Sequence, residues 1–207
     1  MTVVTLSATY GAGGSQVGPM LAERLGVAFL DRAIPTAVAE RLSVPLEEAL
    51  SHDESLGDAI GRLSSSFALL PELAGAMVQA DLLAEEDYRR ETERAIREHA
   101  AAGAVVLGRA GQLVLRDAPG VLHVRLDGPP ERRVRQAMIL EGVDAETAER
   151  QQRETDRARR AYVEHFYDAD PRDCRLYHLV LDSTQLPLET CVELIAHAAR
   201  TRGGETG

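Results

Sequence analysis

Five short apolar runs rich in valine and leucine punctuate the chain, at residues 3–6, 27–30, 104–107, 121–126 and 177–181, each bounded by turn residues. The first and third are nearly continuous, the pattern of strands covered on both faces. Between the runs lie segments rich in Ala, Glu, Arg and Leu with helical spacing. In residues 16–25, for example, Val17, Leu21, Ala22 and Leu25 fall on one face. Alternating strand and helix patterns predict an α/β fold, a parallel sheet layered between helices.

One stretch breaks the alternation. Residues 34–102 hold only helical patterns, punctuated by Pro45, Gly57, Pro71 and Gly75. That is unusually long for a connection between two sheet strands. It reads either as a helical subdomain that pads the fold or as an element that closes over a neighbouring site. Residues 201–207 are small and polar, and are expected to fray. A length of 207 residues, 44% of them hydrophobic, fits one domain with a sizeable core.

The chemistry begins directly after the first run, in Ser7-Ala8-Thr9-Tyr10-Gly11-Ala12-Gly13-Gly14-Ser15. A strand, a glycine turn and a helix start are the parts of an anion site. Glycine permits positive φ, and the first amides of the helix then converge on a phosphate. Ser15 stands where a hydroxyl could ligate Mg²⁺. Against G-x-x-x-x-G-K-[ST], Gly13 keeps the second glycine, but Ala8 replaces the first and Gly14 replaces the lysine. Losing one cation aimed at developing charge costs on the order of 3–4 kcal/mol unless another substitutes. Two other readings stand beside this one. The turn could merely connect strand to helix. A dinucleotide fingerprint is suggested by Gly11, Gly13 and Asp31, but Gln16 occupies its third glycine position.

Net charge narrows the partners. At −10 the chain is a poor candidate for duplex nucleic acid, whose binding relies on Lys and Arg displacing cations. The two cysteines, Cys174 and Cys191, are too few for a disulfide framework or a zinc site of their own. The six histidines lack metal-ligand spacing. No leader pattern opens the sequence and no apolar run approaches the roughly 18 residues of a membrane span. A cytoplasmic location, with no membrane partner, is the expectation.

A local basic site does exist. In the helix-patterned residues 145–166, Arg150, Arg153, Arg157 and Arg160 recur at intervals of three, four and three, on one side of a helix. Glu146 and Glu149 can pair with arginines four residues on, which would make this a solvated, salt-bridged surface. Yet Arg153 and Arg157 are like charges four apart, unfavourable unless an anion lies between them. Phosphate suits guanidinium forks.

Taken together, these blocks resemble the cytidylate kinase-like proteins. The carriers are Thr9–Ser15 with Leu21-Ala22-Glu23-Arg24-Leu25-Gly26 and Phe29-Leu30-Asp31-Arg32, then Val105-Val106-Leu107-Gly108-Arg109-Ala110-Gly111. A third block comprises Asp156-Arg157-Ala158-Arg159-Arg160-Ala161-Tyr162, Phe166-Tyr167 and the run ending Asp182-Ser183. The family's loop is commonly lysine-free, in agreement with Gly14. The resemblance implies a P-loop three-layer α/β/α fold with a five-stranded parallel sheet, an acceptor-side helical insertion at about 34–102 and a lid at about 144–168. It further implies that Gly11, Ala12, Gly13, Gly14, Ser15 and Gln16 hold ATP, with Ser15 on Mg²⁺. Arg153, Arg157 and Arg160 would close over the transferring phosphoryl group. Asp31 would face the acceptor side or a metal-bound water, Arg32 and Arg109 the acceptor, and Asp182 the donor base.

The expected function is ATP-dependent phosphorylation of a small acceptor, a nucleoside monophosphate such as CMP or dCMP. Two alternatives stand beside it. Loss of the lysine suits a nucleotide-binding sensor without turnover. Asp31 as a general base suits a kinase acting on a non-nucleotide alcohol.

Overall fold

The computed structural model describes residues 2–31, 86–87 and 89–203; Arg32, most of the helical insertion and residues 204–207 lie outside them. Five parallel strands form one sheet: β1 (Val3–Ala8), β2 (Ala28–Leu30), β3 (Ala104–Leu107), β4 (Leu122–Asp127) and β5 (Leu179–Asp182). Their order is β2-β3-β1-β4-β5. The glycine-loop strand β1 therefore lies in the middle, in register with Ala104–Leu107 on one side and Leu122–Leu126 on the other. The predicted P-loop α/β layering is present.

Helices cover both faces. On one side pack α1 (Gly14–Leu25) and the last helix α6 (Leu188–Arg202). With Val4, Leu6, Val105, Val124 and Leu126 they enclose one apolar cluster that includes Val17, Leu21 and Ile195. The other face carries α2 (residues 89–100), α3 (Gly111–Val114) and part of α5 (Ala145–Tyr167). Ile96, Val106, Tyr162 and Val163 meet there. Alternate residues of each central strand feed the two clusters, so the continuous apolar runs follow from burial on both sides. Between β4 and α5 runs α4 (Pro130–Glu141), which packs Val134 and Ala137 against Ala148 of α5.

A frayed tail was expected from residue 201, but residues 201 and 202 are helical. Helix α6 continues through Arg202, whose Nε donates to the Val121 carbonyl at 2.7 Å, while the Thr201 hydroxyl donates to the His197 carbonyl. These two bonds hold the last helical turn, which composition alone had marked as loose.

A polar stripe interrupts the second face at β1 and β4. Thr5 Oγ1 and His123 Nδ1 are 2.8 Å apart, and His123 stacks on His178 with ring centroids 4.9 Å apart. Burial first, then the neighbouring His178 and Arg202, push the His123 imidazole down to about 4. The fold therefore favours the neutral ring, whereas the unfolded chain takes up a proton near pH 6.5. The His123 contribution to stability is full above that pH and should fall by about 1.4 kcal/mol per unit as pH drops towards 4. Urea unfolding of the wild type and His123→Gln between pH 7 and 4 tests this. The variant should lose most of that slope, and an unchanged slope would remove His123 as its source.

Candidate active site

The loop between β1 and α1 is shaped by two left-handed glycines, Gly11 at φ 74° and Gly13 at φ 75°. A Cβ on Gly11 would sit 2.2 Å from the Arg133 carbonyl oxygen, so the position admits no side chain. Gly13 caps α1. Around this turn the Ala12 amide donates to the Thr9 carbonyl, and the Gln16 and Val17 amides both donate to the Gly13 carbonyl. Among the described residues, the amides of Gly11, Gly13, Gly14 and Ser15 have no acceptor. Four open N–H groups at the start of a helix form an anion-binding nest. Ser15 and Gln16 are exposed beside it. The Ser183 hydroxyl steadies the turn by donating to the Ala12 carbonyl at 2.7 Å.

The two departures from the lysine-bearing pattern touch one another. Gly14 is buried, and a Cβ added there would lie 2.5 Å from the Ala8 Cβ and 3.2 Å from Leu107 Cδ1. Ala8 fills the space through which a side chain at position 14 would have to leave.

Helix α5 spans the segment expected as a lid, with Asp144 capping its start through the Thr147 amide. It lies against the glycine loop, but not through the predicted arginines. Arg153 and Arg160 are exposed and pair with Glu149 and Glu164 of their own helix, at 3.8 and 2.6 Å. Arg157 is exposed as well. At about 100° per residue, this stripe lies away from the buried Ala148, Gln152 and Val163, which face the body. Arg159 falls on the body side, and its Nη1 donates to the Ala8 carbonyl at 2.7 Å. Asp156 Oδ1 accepts the Tyr10 amide at 2.8 Å, and the Gln151 side-chain oxygen lies 2.6 Å from the Tyr10 hydroxyl.

Beneath the loop, Arg133 is almost fully buried and ties several of these groups together. It donates to the Gly128 carbonyl at 2.9 Å, the Tyr10 carbonyl at 2.8 Å and Asp156 Oδ2 at 2.7 Å. Asp127 ends β4, takes the Thr9 hydroxyl at 2.9 Å and pairs with Arg125 at 2.7 Å. Burial disfavours its charge, but Arg125, the Gly128 amide and Thr9 together hold the carboxyl below its ordinary value.

At the end of β3 three successive residues are left-handed: Gly108 at φ 76°, Arg109 at φ 54° and Ala110 at φ 52°. Each non-glycine there costs roughly 1–2 kcal/mol, strain of the kind that accumulates at functional sites. The turn holds Arg109 at the carboxyl edge of the sheet. Burial chiefly, and the nearby Arg159, push its guanidinium down to about 10, against the pull of Tyr162 and Asp31. Asp31 follows β2, Arg109 follows β3 and Arg159 reaches the last residue of β1, so the three stand along the carboxyl edge of the sheet. On the opposite flank Asp182 accepts Arg132 Nη2 at 2.9 Å and the Thr184 amide at 3.1 Å.

Asp156, Arg159, Arg133, Asp127 and Arg132 were missed from the sequence. For Arg159 the available signal was helical phase, since Ala148, Tyr162 and Val163 mark the side on which it falls. The segment Pro130-Glu131-Arg132-Arg133-Val134 reads simply as a charged helix start, and nothing in it marks Arg133 as buried.

Among the described residues no helix is long and apolar enough to cross a membrane. Comparison with solved structures supports the architecture. A protein from Eubacterium ventriosum superposes with a TM-score of 0.70 at 18% identity, over 98% of this chain and all of that one. Shikimate kinase from Acinetobacter baumannii gives 0.52 at 16% identity, over 97% and 94%. In sequence, the chain is 30% identical to a uronate isomerase of Corynebacterium glutamicum over 116 residues, 56% of this chain but 22% of that protein. A Methanopyrus kandleri cytidylate kinase is 34% identical over 108 residues, 48% of this chain and 56% of its own length. An Aeropyrum pernix cytidylate kinase is 30% identical over 131 residues, 62% and 76%. The profile of one family matches residues 3–185, glycine loop, strained Arg109 turn and helix α5 included, and the chain belongs to that family, the cytidylate kinase-like proteins.

Proposed function

We propose that this protein transfers the terminal phosphoryl group of ATP, with Mg²⁺, to a small phosphate-bearing acceptor, a nucleoside monophosphate of the CMP or dCMP type. The observation that carries the reading is the pairing of four open loop amides with Arg109 and Arg159 at the same edge of the sheet. Amides suit the inner phosphates of a donor, and two guanidinium groups across the gap suit the phosphate of an acceptor and the charge between them. Similarity to the cytidylate kinases of Methanopyrus kandleri and Aeropyrum pernix motivates the choice of CMP.

Mg²⁺ fits the residues available. Ser15 offers an exposed hydroxyl, while Asp127 and Asp156 are engaged by arginines, so one protein ligand with phosphates and waters would complete the shell. When bound, the ion neutralises charge on the donor phosphates. The chain's own residues do the remaining work. Loop amides orient the donor, Arg109 orients the acceptor, and Arg159 supplies the cation that Gly14 does not. Asp182 and Arg132 border the donor-base side.

ADP release measured over CMP, dCMP, UMP, AMP, shikimate and gluconate tests the proposal. Turnover should be fastest with CMP or dCMP, by at least about tenfold over the others, the low end of what one mismatched pocket contact is worth. Turnover confined to shikimate or gluconate would replace the acceptor by an alcohol. Tight nucleotide binding without turnover on any acceptor would make the protein a sensor.

A further inference from the structure

The contact between Asp156 and the glycine loop serves no step of phosphoryl transfer. A carboxylate oxygen at 2.8 Å from the Tyr10 amide makes the bond that a phosphate oxygen would make there. Position in the loop decides which phosphate. The open amides of Gly13, Gly14 and Ser15 lie at the helix start and suit the inner phosphates. Tyr10 lies upstream of them, at the rim facing α5, on the side of Arg159 and Arg109. An oxygen that reached the Tyr10 amide would belong to the outermost phosphate.

Arg133 makes the exchange feasible. Its guanidinium is fixed without Asp156, by the Gly128 and Tyr10 carbonyls and by Asp127 at 3.7 Å. If Asp156 swings away, Arg133 keeps three partners, and no buried charge is stranded. Asp156 itself is only half-buried, so it has somewhere to go.

Resting on the donor reading above, we propose that Asp156 is a resident anion at the outer end of the phosphate loop, displaced by the terminal phosphate of a nucleoside triphosphate and left in place by a diphosphate. The carboxylate then sets the preference between donor and product. It opposes the triphosphate by charge, and returns to the Tyr10 amide once the terminal phosphoryl group has left. Because Asp156 belongs to α5, the same exchange releases one contact of that helix to the loop only when the donor is loaded, while Arg159 keeps its own contact with Ala8. Coupling of this kind is reciprocal: whatever weakens the Asp156 contact must tighten triphosphate binding.

Titration calorimetry with Mg²⁺ and either ADP or a non-hydrolysable imido analogue of ATP tests this on the full chain. Asp156→Asn keeps the size of the side chain and an oxygen for the Tyr10 amide while removing the charge. The analogue should bind about tenfold more tightly to the variant than to the wild type, with ADP changed by less than about twofold. An equal change for both nucleotides overturns the proposal. So does weaker analogue binding, which would assign Asp156 to the nucleotide or its metal. Should the variant fail to fold, hydrogen exchange of the wild type decides instead. Residues around Asp156 in α5 lose protection with the analogue and not with ADP, and identical protection with both overturns the inference. Failure of the donor reading looks different: neither nucleotide binds wild type or variant, and this inference goes with it.

Discussion

Arg159→Ala should lower kcat by about 10²–10³, with little change in stability, in the coupled ADP-release assay on the best acceptor. The size follows from what the loop lacks. Removing one preorganised donor aimed at developing charge costs about 2.7–4 kcal/mol of barrier, and with glycine at position 14 no loop lysine shares that task. Arg159 stands in the right place, with Nη1 2.7 Å from the carbonyl of Ala8, the residue whose methyl group excludes a side chain at position 14. Stability should barely move, because an exposed hydrogen bond to a carbonyl contributes about 1 kcal/mol or less. A thermal melt checks that part. Arg159→Lys should recover only a fraction of the rate, since an ammonium cannot fork across two oxygens. Arg157→Ala is the informative comparison. If it costs as much as Arg159→Ala was expected to, and Arg159→Ala costs nothing, the transferring group is held by the outer stripe of α5 after a rotation of the helix.

That comparison turns on what a helix pattern makes legible. Strands were legible because burial on both faces leaves a continuous apolar run, and 104–107 was read with the bounds that the structure gives it. The glycine loop was legible because Gly11 and Gly13 adopt a conformation that other residues rarely take. The arginines of α5 were harder. Four of them recur on one face, and periodicity says which residues share a side without saying which side meets the body. Arg150, Arg153, Arg157 and Arg160 share the solvent side, where Glu149 and Glu164 already pair with two of them. The decisive positions were the small and apolar ones, Ala148, Tyr162 and Val163, because they fix the phase of the helix. Arg109 was singled out by its motif, yet its left-handed backbone is invisible in a sequence where neither it nor Ala110 is glycine. The buried Arg133 follows from contacts to Gly128, Tyr10 and Asp156, residues far apart in the chain, and no local pattern announces such a meeting.

Ala8 and Gly14 should prove to be one structural unit, and restoring a lysine should require changing both. Gly14→Lys alone would set a Cβ 2.5 Å from the Ala8 Cβ, with Leu107 closing the other side. The terminal methyl of Leu107 can give way, but the Ala8 Cβ moves only with its backbone, so the loop or the first turn of α1 must shift. Overpacking of this kind typically costs about 1–3 kcal/mol. Ala8→Gly removes the obstructing methyl group and loses about 0.5–1 kcal/mol through backbone freedom at the end of β1. The double variant should therefore be more stable than the sum of the two single changes by about 1–3 kcal/mol, within the range of about 0.5–3 kcal/mol found for residues in direct contact. Urea unfolding of the four proteins closes the cycle. In an Arg159→Ala background the same double change should return at least about tenfold in kcat, because a lysine leaving position 14 points its charge at the phosphates that Arg159 is proposed to serve. If the two substitutions are additive in stability, Ala8 does not exclude the lysine. If they are coupled but return no activity, the lysine reaches the loop without doing the work of Arg159, and the cation is needed on the α5 side of the phosphate rather than on the loop side.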